Sequence, residues 1–156
     1  MIADIGRREK GFTLVEMMIT IAILSILLGI SVSTWNRYRL NTDLKTATRT
    51  IVSDFSMAKQ MAVRDCTGYR ITFNVGTNSY QLIETATGNP VRTRNMSKFG
   101  QGIVLSAPNF GGDSTINFIA RGTAEAGSVM VANGIDSTGT VTVNFTGRTH
   151  VRFNLQ

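Results

Sequence analysis

The sequence is poor in the residues that build most catalytic and disulfide-held proteins. Among 156 residues there is one cysteine, Cys66, one histidine, His150, and two prolines. A lone cysteine forms no internal disulfide, so the fold is held by burial, and Cys66 reads as a small apolar filler or a solvated thiol. One histidine and one cysteine cannot supply the usual zinc ligand sets. G-x-S-x-G, Walker A and G-x-G-x-x-G sequences are all absent, which removes the common hydrolase, nucleotide and dinucleotide signatures. Asn109 with Asp113 and Asn133 with Asp136 lack the dense acidic spacing of a calcium loop. The expectation is a chain with no catalytic residues, no metal and no cofactor.

Charge is also scarce where it matters most. The net charge is +6, but it is spread along the chain without a run of one sign. From Met17 to Trp35 there are 19 residues without a charged side chain. At about 1.5 Å per helical residue such a segment crosses most of a hydrocarbon layer of roughly 30 Å. Arg7, Arg8 and Lys10 precede it, so the positive-inside bias predicts a cytoplasmic N-terminus and an exported C-terminal part. A cleaved secretory signal ending near Ser31-Val32-Ser33 is the competing reading. It is disfavoured because the apolar stretch is long for a signal core and the helical pattern continues past that point.

Residues 11 to 16, Gly-Phe-Thr-Leu-Val-Glu, stand between the basic leader and the apolar run. This stretch closely resembles the processing site of the type IV pilin and pseudopilin superfamily. The resemblance implies cleavage after Gly11 by a prepilin peptidase and N-methylation of the new terminus at Phe12, so that the apolar segment stays on the mature protein. Glu16 can be read independently. An ionised carboxylate at the start of a lipid-embedded helix costs on the order of 3 kcal/mol and calls for a partner or a function. The amine exposed at Phe12, on the same or a neighbouring subunit, is a natural partner, and pairing between subunits would fix axial register during assembly.

Beyond Trp35 the apolar residues Leu40, Leu44, Ala47, Ile51, Phe55, Ala58 and Ala62 recur every three or four positions, which predicts one stripe of an amphipathic helix. Arg39, Asp43, Lys45, Arg49, Asp54, Lys59 and Arg64 are assigned to its other faces. With no proline from 12 to 64, one continuous helix is expected. From Gly68 onward come 12 of the 15 glycines, punctuating alternating runs at 69–75, 79–85, 102–106, 115–120, 127–132, 140–145 and 148–154. These predict β-strands. Asn89-Pro90, followed by Arg92, Arg94 and Lys98, predicts a loop or an edge strand. The expected organisation is α+β: a leader at 1–11, a transmembrane and assembly helix at 12–35, and a periplasmic domain at 36–156. That domain divides into an amphipathic helix at 36–65 packed on small antiparallel sheets at 68–156.

Two further stretches, Phe118-Ile-Ala-Arg-Gly122 and Thr146-Gly147-Arg148, resemble the GspH/FimT group, the H-type pseudopilins of type II secretion and the FimT and FimU minor pilins. This implies a pilin-like fold and a role in assembly or initiation near the tip of a pilus or pseudopilus in the bacterial inner membrane, with other pilin subunits, the prepilin peptidase and lipid as partners. Some FimT-like minor pilins bind DNA during natural transformation through a Gly-Arg-x-Arg pattern. Here Gly147 and Arg148 match, but His150 stands in the place of the second arginine. The two-residue period of a strand puts Arg148, His150 and Arg152 on one face as candidate DNA-binding residues and Thr149, Val151 and Phe153 on the other; if Val151 and Phe153 point to the core, the basic face is exposed, with Arg94, Lys98 or Arg121 as possible neighbours.

Overall fold

A computed structural model of the chain describes residues 11–156, except for the side chains of residues 30–34. A single helix, α1, runs from Leu14 to Arg64. Eight strands follow: β1 (Tyr69–Asn74), β2 (Ser79–Glu84), β3 (Pro90–Asn95), β4 (Val104–Phe110), β5 (Thr115–Phe118), β6 (Gly127–Ala132), β7 (Thr138–Val143) and β8 (Thr149–Asn154), with a short 3₁₀ turn at Met96–Phe99 between β3 and β4. They form two four-stranded sheets, in the orders β3-β2-β1-β5 and β4-β6-β7-β8, and every strand pairing is antiparallel. The architecture is α+β.

The chain divides into a unit at 1–36 and a unit at 37–156. In the second, the helical stripe forms the core. Leu44, Ala47, Ile51, Phe55, Ala58 and Ala62 are fully or almost fully buried. Their complement is the inward row of every strand except β3 and β8, such as Tyr69, Ile71 and Phe73 on β1 and Val129 and Val131 on β6. Phe55 ties the layers together. Its ring lies 5.9–6.1 Å from Phe73 and Phe118 of the first sheet and from Phe110 of the second, the separation at which aromatic pairs add to plain burial.

Of the loop or edge strand expected around Pro90, the structure has the edge strand, β3, which buries no side chain fully. Two local outcomes differ from the sequence reading. Strand β4 runs on to Phe110 across a bulge between Ser106 and Asn109, which breaks the period of two. Asp54, placed by its polarity on an outer face, is buried.

In the first unit every large apolar side chain from Phe12 to Leu28 is between 51% and 77% exposed. Among the described residues no helix is long and apolar enough to cross a membrane. The span expected from the sequence includes residues 30–34, whose side chains lie outside the description, as does the basic leader at 1–10.

Candidate functional site

At the helix start, Thr13 occupies the capping position immediately before Leu14. Its N–H and hydroxyl donate to Glu16 Oε2 at 2.9 and 3.1 Å, and the Glu16 N–H donates back to Thr13 Oγ1 at 3.2 Å. This reciprocal pair is a capping box: it satisfies donors that the first helical turn leaves without partners. Glu16 thus has a local role in the single chain that its charge alone did not reveal, although the Thr-x-x-Glu spacing was visible. Gly11 and Phe12 precede the helix and are exposed, and nothing lies within 4 Å of Gly11 where a side chain would be.

The C-terminal candidates sit on the β7–β8 hairpin. Gly147 N–H donates to Asn144 O at 2.8 Å and Asn144 N–H to Arg148 O at 3.0 Å, with Gly147 at φ 69°. A tight turn closed by a left-handed glycine and a one-residue bulge has this pattern. Arg148 stands opposite Asn144 beside this bulge, one position before the first residue of β8, and its N–H is held by Asn144 Oδ1 at 2.9 Å. His150 and Arg152 lie on β8 opposite Thr142 and Thr140, and since Val141 and Val143 take the buried side of β7, these four share the outer face. The other row is less buried than expected: Val151 remains 38% exposed, because β8 is an edge strand. Arg94 is committed elsewhere, to Asp54.

The two stretches of the second resemblance come together in space. A Cβ on Gly147 would stand 2.9 Å from the Gly122 carbonyl oxygen and 3.2 Å from Lys59, while one on Gly122 would meet Val63 and Lys59 of α1. Lys59 Nζ donates to Thr146 O at 2.9 Å, and Ala124 N–H to Phe145 O at 3.2 Å. The glycines are where two turns close on one lysine stem of the helix, so that part of the motif is explained by packing.

The sequence reading missed a buried polar cluster. Asp54 accepts from Tyr80 Oη at 2.6 Å, Arg92 Nη1 at 3.0 Å and Arg94 Nε at 3.2 Å. Burial, then the bond to Asp54, pushes the Tyr80 phenol well above its ordinary range, and the same carboxylate raises Arg94. The signal was available: Asp54 lies three residues after Ile51 and four before Ala58, on the apolar stripe itself. The cluster fastens edge strand β3 to α1. Among the described residues no group of three histidine, cysteine or acidic side chains is placed to hold a metal ion.

Residues 6–32 match the prokaryotic N-terminal methylation motif. No curated protein sequence matches the chain. Among solved structures, the minor pseudopilin EpsH from the type 2 secretion system of Vibrio cholerae superposes with a TM-score of 0.58 at 10% identity, covering 70% of this chain and 96% of EpsH. The type IV minor pilin FimU of Pseudomonas aeruginosa gives 0.59 at 14% identity, covering 72% and 90%. The chain carries the prokaryotic N-terminal methylation motif and a pilin-like α+β fold, the fold of the minor pseudopilin EpsH and the minor pilin FimU.

Proposed function

We propose that the chain is a minor pilin or pseudopilin of a type IV pilus or a type II secretion pseudopilus, acting in filament assembly or initiation near the tip. In this reading a prepilin peptidase cuts after Gly11, Phe12 is N-methylated, and segment 12–35 anchors the subunit in the bacterial inner membrane. The N-terminus stays cytoplasmic and residues 36–156 lie in the periplasm. Glu16 pairs with a Phe12 amine when the subunit joins other pilins. The observation that carries the reading is the match at residues 6–32 at the head of a helix whose large apolar side chains are at least half exposed from Phe12 to Leu28. A surface of that kind requires lipid or other apolar helices to cover it. Mass spectrometry of the protein from its host tests it: a mature chain beginning at methylated Phe12 is expected, and an intact leader or a start near Thr34 refutes it.

A second reading, DNA binding in the manner of FimT-like minor pilins, is favoured by one observation. The outer face of β7 and β8 pairs Thr140 and Thr142 with Arg152 and His150, Arg148 stands at the adjoining turn, and residues 137–156 include no acidic side chain. Phosphate contacts of this kind are independent of sequence and weaken with salt. Gel shifts should show retardation at low salt that is lost with Arg148→Ala plus Arg152→Ala; no retardation at high micromolar protein removes this reading and leaves the filament role untouched.

A further inference from the structure

The two sheets have four edges, and three of them are blunted. Strand β3 begins at Pro90 and slips against β2 at a bulge between Leu82 and Ile83. Strand β4 carries Pro108, Ala107 at φ 45° and its own bulge. Strand β5 is four residues long. Both prolines of the sequence thus lie on edge strands. Prolines, bulges and short edges are the devices that stop a sheet from recruiting another chain. Strand β8 has none of them: it contains neither proline nor glycine, and its six residues keep unbroken register with β7.

The direction of its free groups follows from the hairpin. Asn144 N–H donates to the Arg148 carbonyl, which marks 144 and 148 as a hydrogen-bonded position of the ladder, and such positions alternate along an antiparallel pair. His150, Arg152 and Asn154 therefore bond to β7, while the N–H and C=O groups of Thr149, Val151 and Phe153 point to the open side. The ladder is closed beyond its end, where Gln156 N–H donates to Ser137 Oγ. On the side chains the edge presents Arg152 and His150 on one face and half-exposed Val151 and Phe153 on the other.

We propose that β8 is a docking edge that accepts an extended strand of a partner protein alternating acidic and apolar side chains. Main-chain bonds to Thr149, Val151 and Phe153 would supply affinity, and carboxylates beside Arg152 and His150 would supply selectivity. A second copy of this chain is the wrong occupant, since pairing β8 with itself sets these basic residues against each other. The inference goes beyond the filament reading, and its test does not depend on processing or assembly.

The experiment titrates the isotopically labelled full chain, in detergent micelles, with a synthetic peptide alternating glutamate and valine, and with a control peptide alternating lysine and valine. Amide exchange at Thr149, Val151 and Phe153 should slow with the first peptide and not with the second. Val151→Pro should retain wild-type circular dichroism, since its N–H faces the open side, and lose binding; Arg152→Pro should break a bond to β7 and destabilise the fold. Absent protection with millimolar glutamate peptide, equal protection by both peptides, undiminished binding by Val151→Pro, or failure of that variant to fold each overturns the proposal. Protection of these amides by a single-stranded oligonucleotide but not by the peptide overturns it in favour of nucleic acid.

Discussion

Replacing Asp54 by alanine takes the shared acceptor from three donors at once. The expected cost is set by how well each donor can recover. Tyr80 is 1% exposed, so its hydroxyl is left buried without a partner, which costs about 1–3 kcal/mol. The side chains of Arg92 and Arg94 are each 36% exposed; water reaches them, and their combined loss is nearer to about 1 kcal/mol. Asp54→Ala should therefore destabilise by about 2–4 kcal/mol, a large part of the roughly 5–15 kcal/mol that holds a domain together. Asp54→Asn keeps an acceptor for Tyr80 and should cost about half as much, and Arg92→Ala or Arg94→Ala less again, at about 0.5–1 kcal/mol each. Urea denaturation followed by circular dichroism gives the ranking, and hydrogen exchange should show β3 losing protection first, because its side chains are exposed or half-buried. An Arg92→Ala or Arg94→Ala variant as unstable as Asp54→Ala would refute the claim that the stranded hydroxyl dominates.

The raised Tyr80 phenol makes a pH prediction. Its proton is held more tightly in the folded state than at its ordinary value of 10.0, so the stabilisation is complete below pH 10 and is lost as pH rises above it; Tyr80→Phe should flatten the fall in urea midpoint between about pH 9 and 11, and an unchanged slope counts against it. Gly147→Ala should cost roughly 1–2 kcal/mol for its left-handed backbone plus a further loss from the Gly122 and Lys59 contacts. Gly88→Ala, at φ 70° with nothing within 4 Å, carries only the backbone part, so equal losses at the two sites would remove the packing argument. A chain beginning at Arg37 should be soluble and monomeric by size-exclusion chromatography, since Leu44 to Ala62 are already covered, and native-like circular dichroism with persistent aggregation would contradict this.

The elements that were legible in the sequence are those whose burial follows a simple period. The stripe from Leu44 to Ala62 and strands β1, β2 and β6 each bury one face of a regular element, so spacing alone locates them. Legibility fails where a side chain's environment comes from distant chain. The spacing of Asp54 puts it on the apolar stripe, but the side chains that neutralise it there, Arg92 and Arg94, lie 38 and 40 positions away and leave no local signal. The glycines at 122 and 147 look like ordinary turn residues until Lys59 is seen to fill the space between them. Strand β8 reads correctly as a strand, but whether Val151 is core or edge depends on the order of strands in the sheet, and no local pattern encodes that order. The same limit applies to the candidate DNA face. Alternation puts His150 and Arg152 together, but that Arg148 stands at the turn, beside the bulge at Gly147 and before β8 begins, is set by the hairpin and not by the period.

Glu16 has one observed role and one proposed role, which a conservative variant can separate. In the single chain it closes the capping box with Thr13. In the proposed filament its charge pairs with a Phe12 amine. Glutamine keeps an acceptor oxygen of the same reach, so Glu16→Gln preserves the cap, but it carries no charge and cannot neutralise an amine. Valine loses both. If the helix is inserted in lipid as proposed, removing an ionised carboxylate from it favours insertion, so neither variant should fall out of the membrane fraction. If charge pairing governs assembly, Glu16→Gln and Glu16→Val should both be depleted from sheared filaments while remaining in membranes. Thr13→Val, which keeps the carboxylate but removes the capping hydroxyl, should still be incorporated. Recovery of Glu16→Gln in filaments at the wild-type level, with Thr13→Val and Glu16→Val both depleted, would show that the cap and not the charge is what assembly requires.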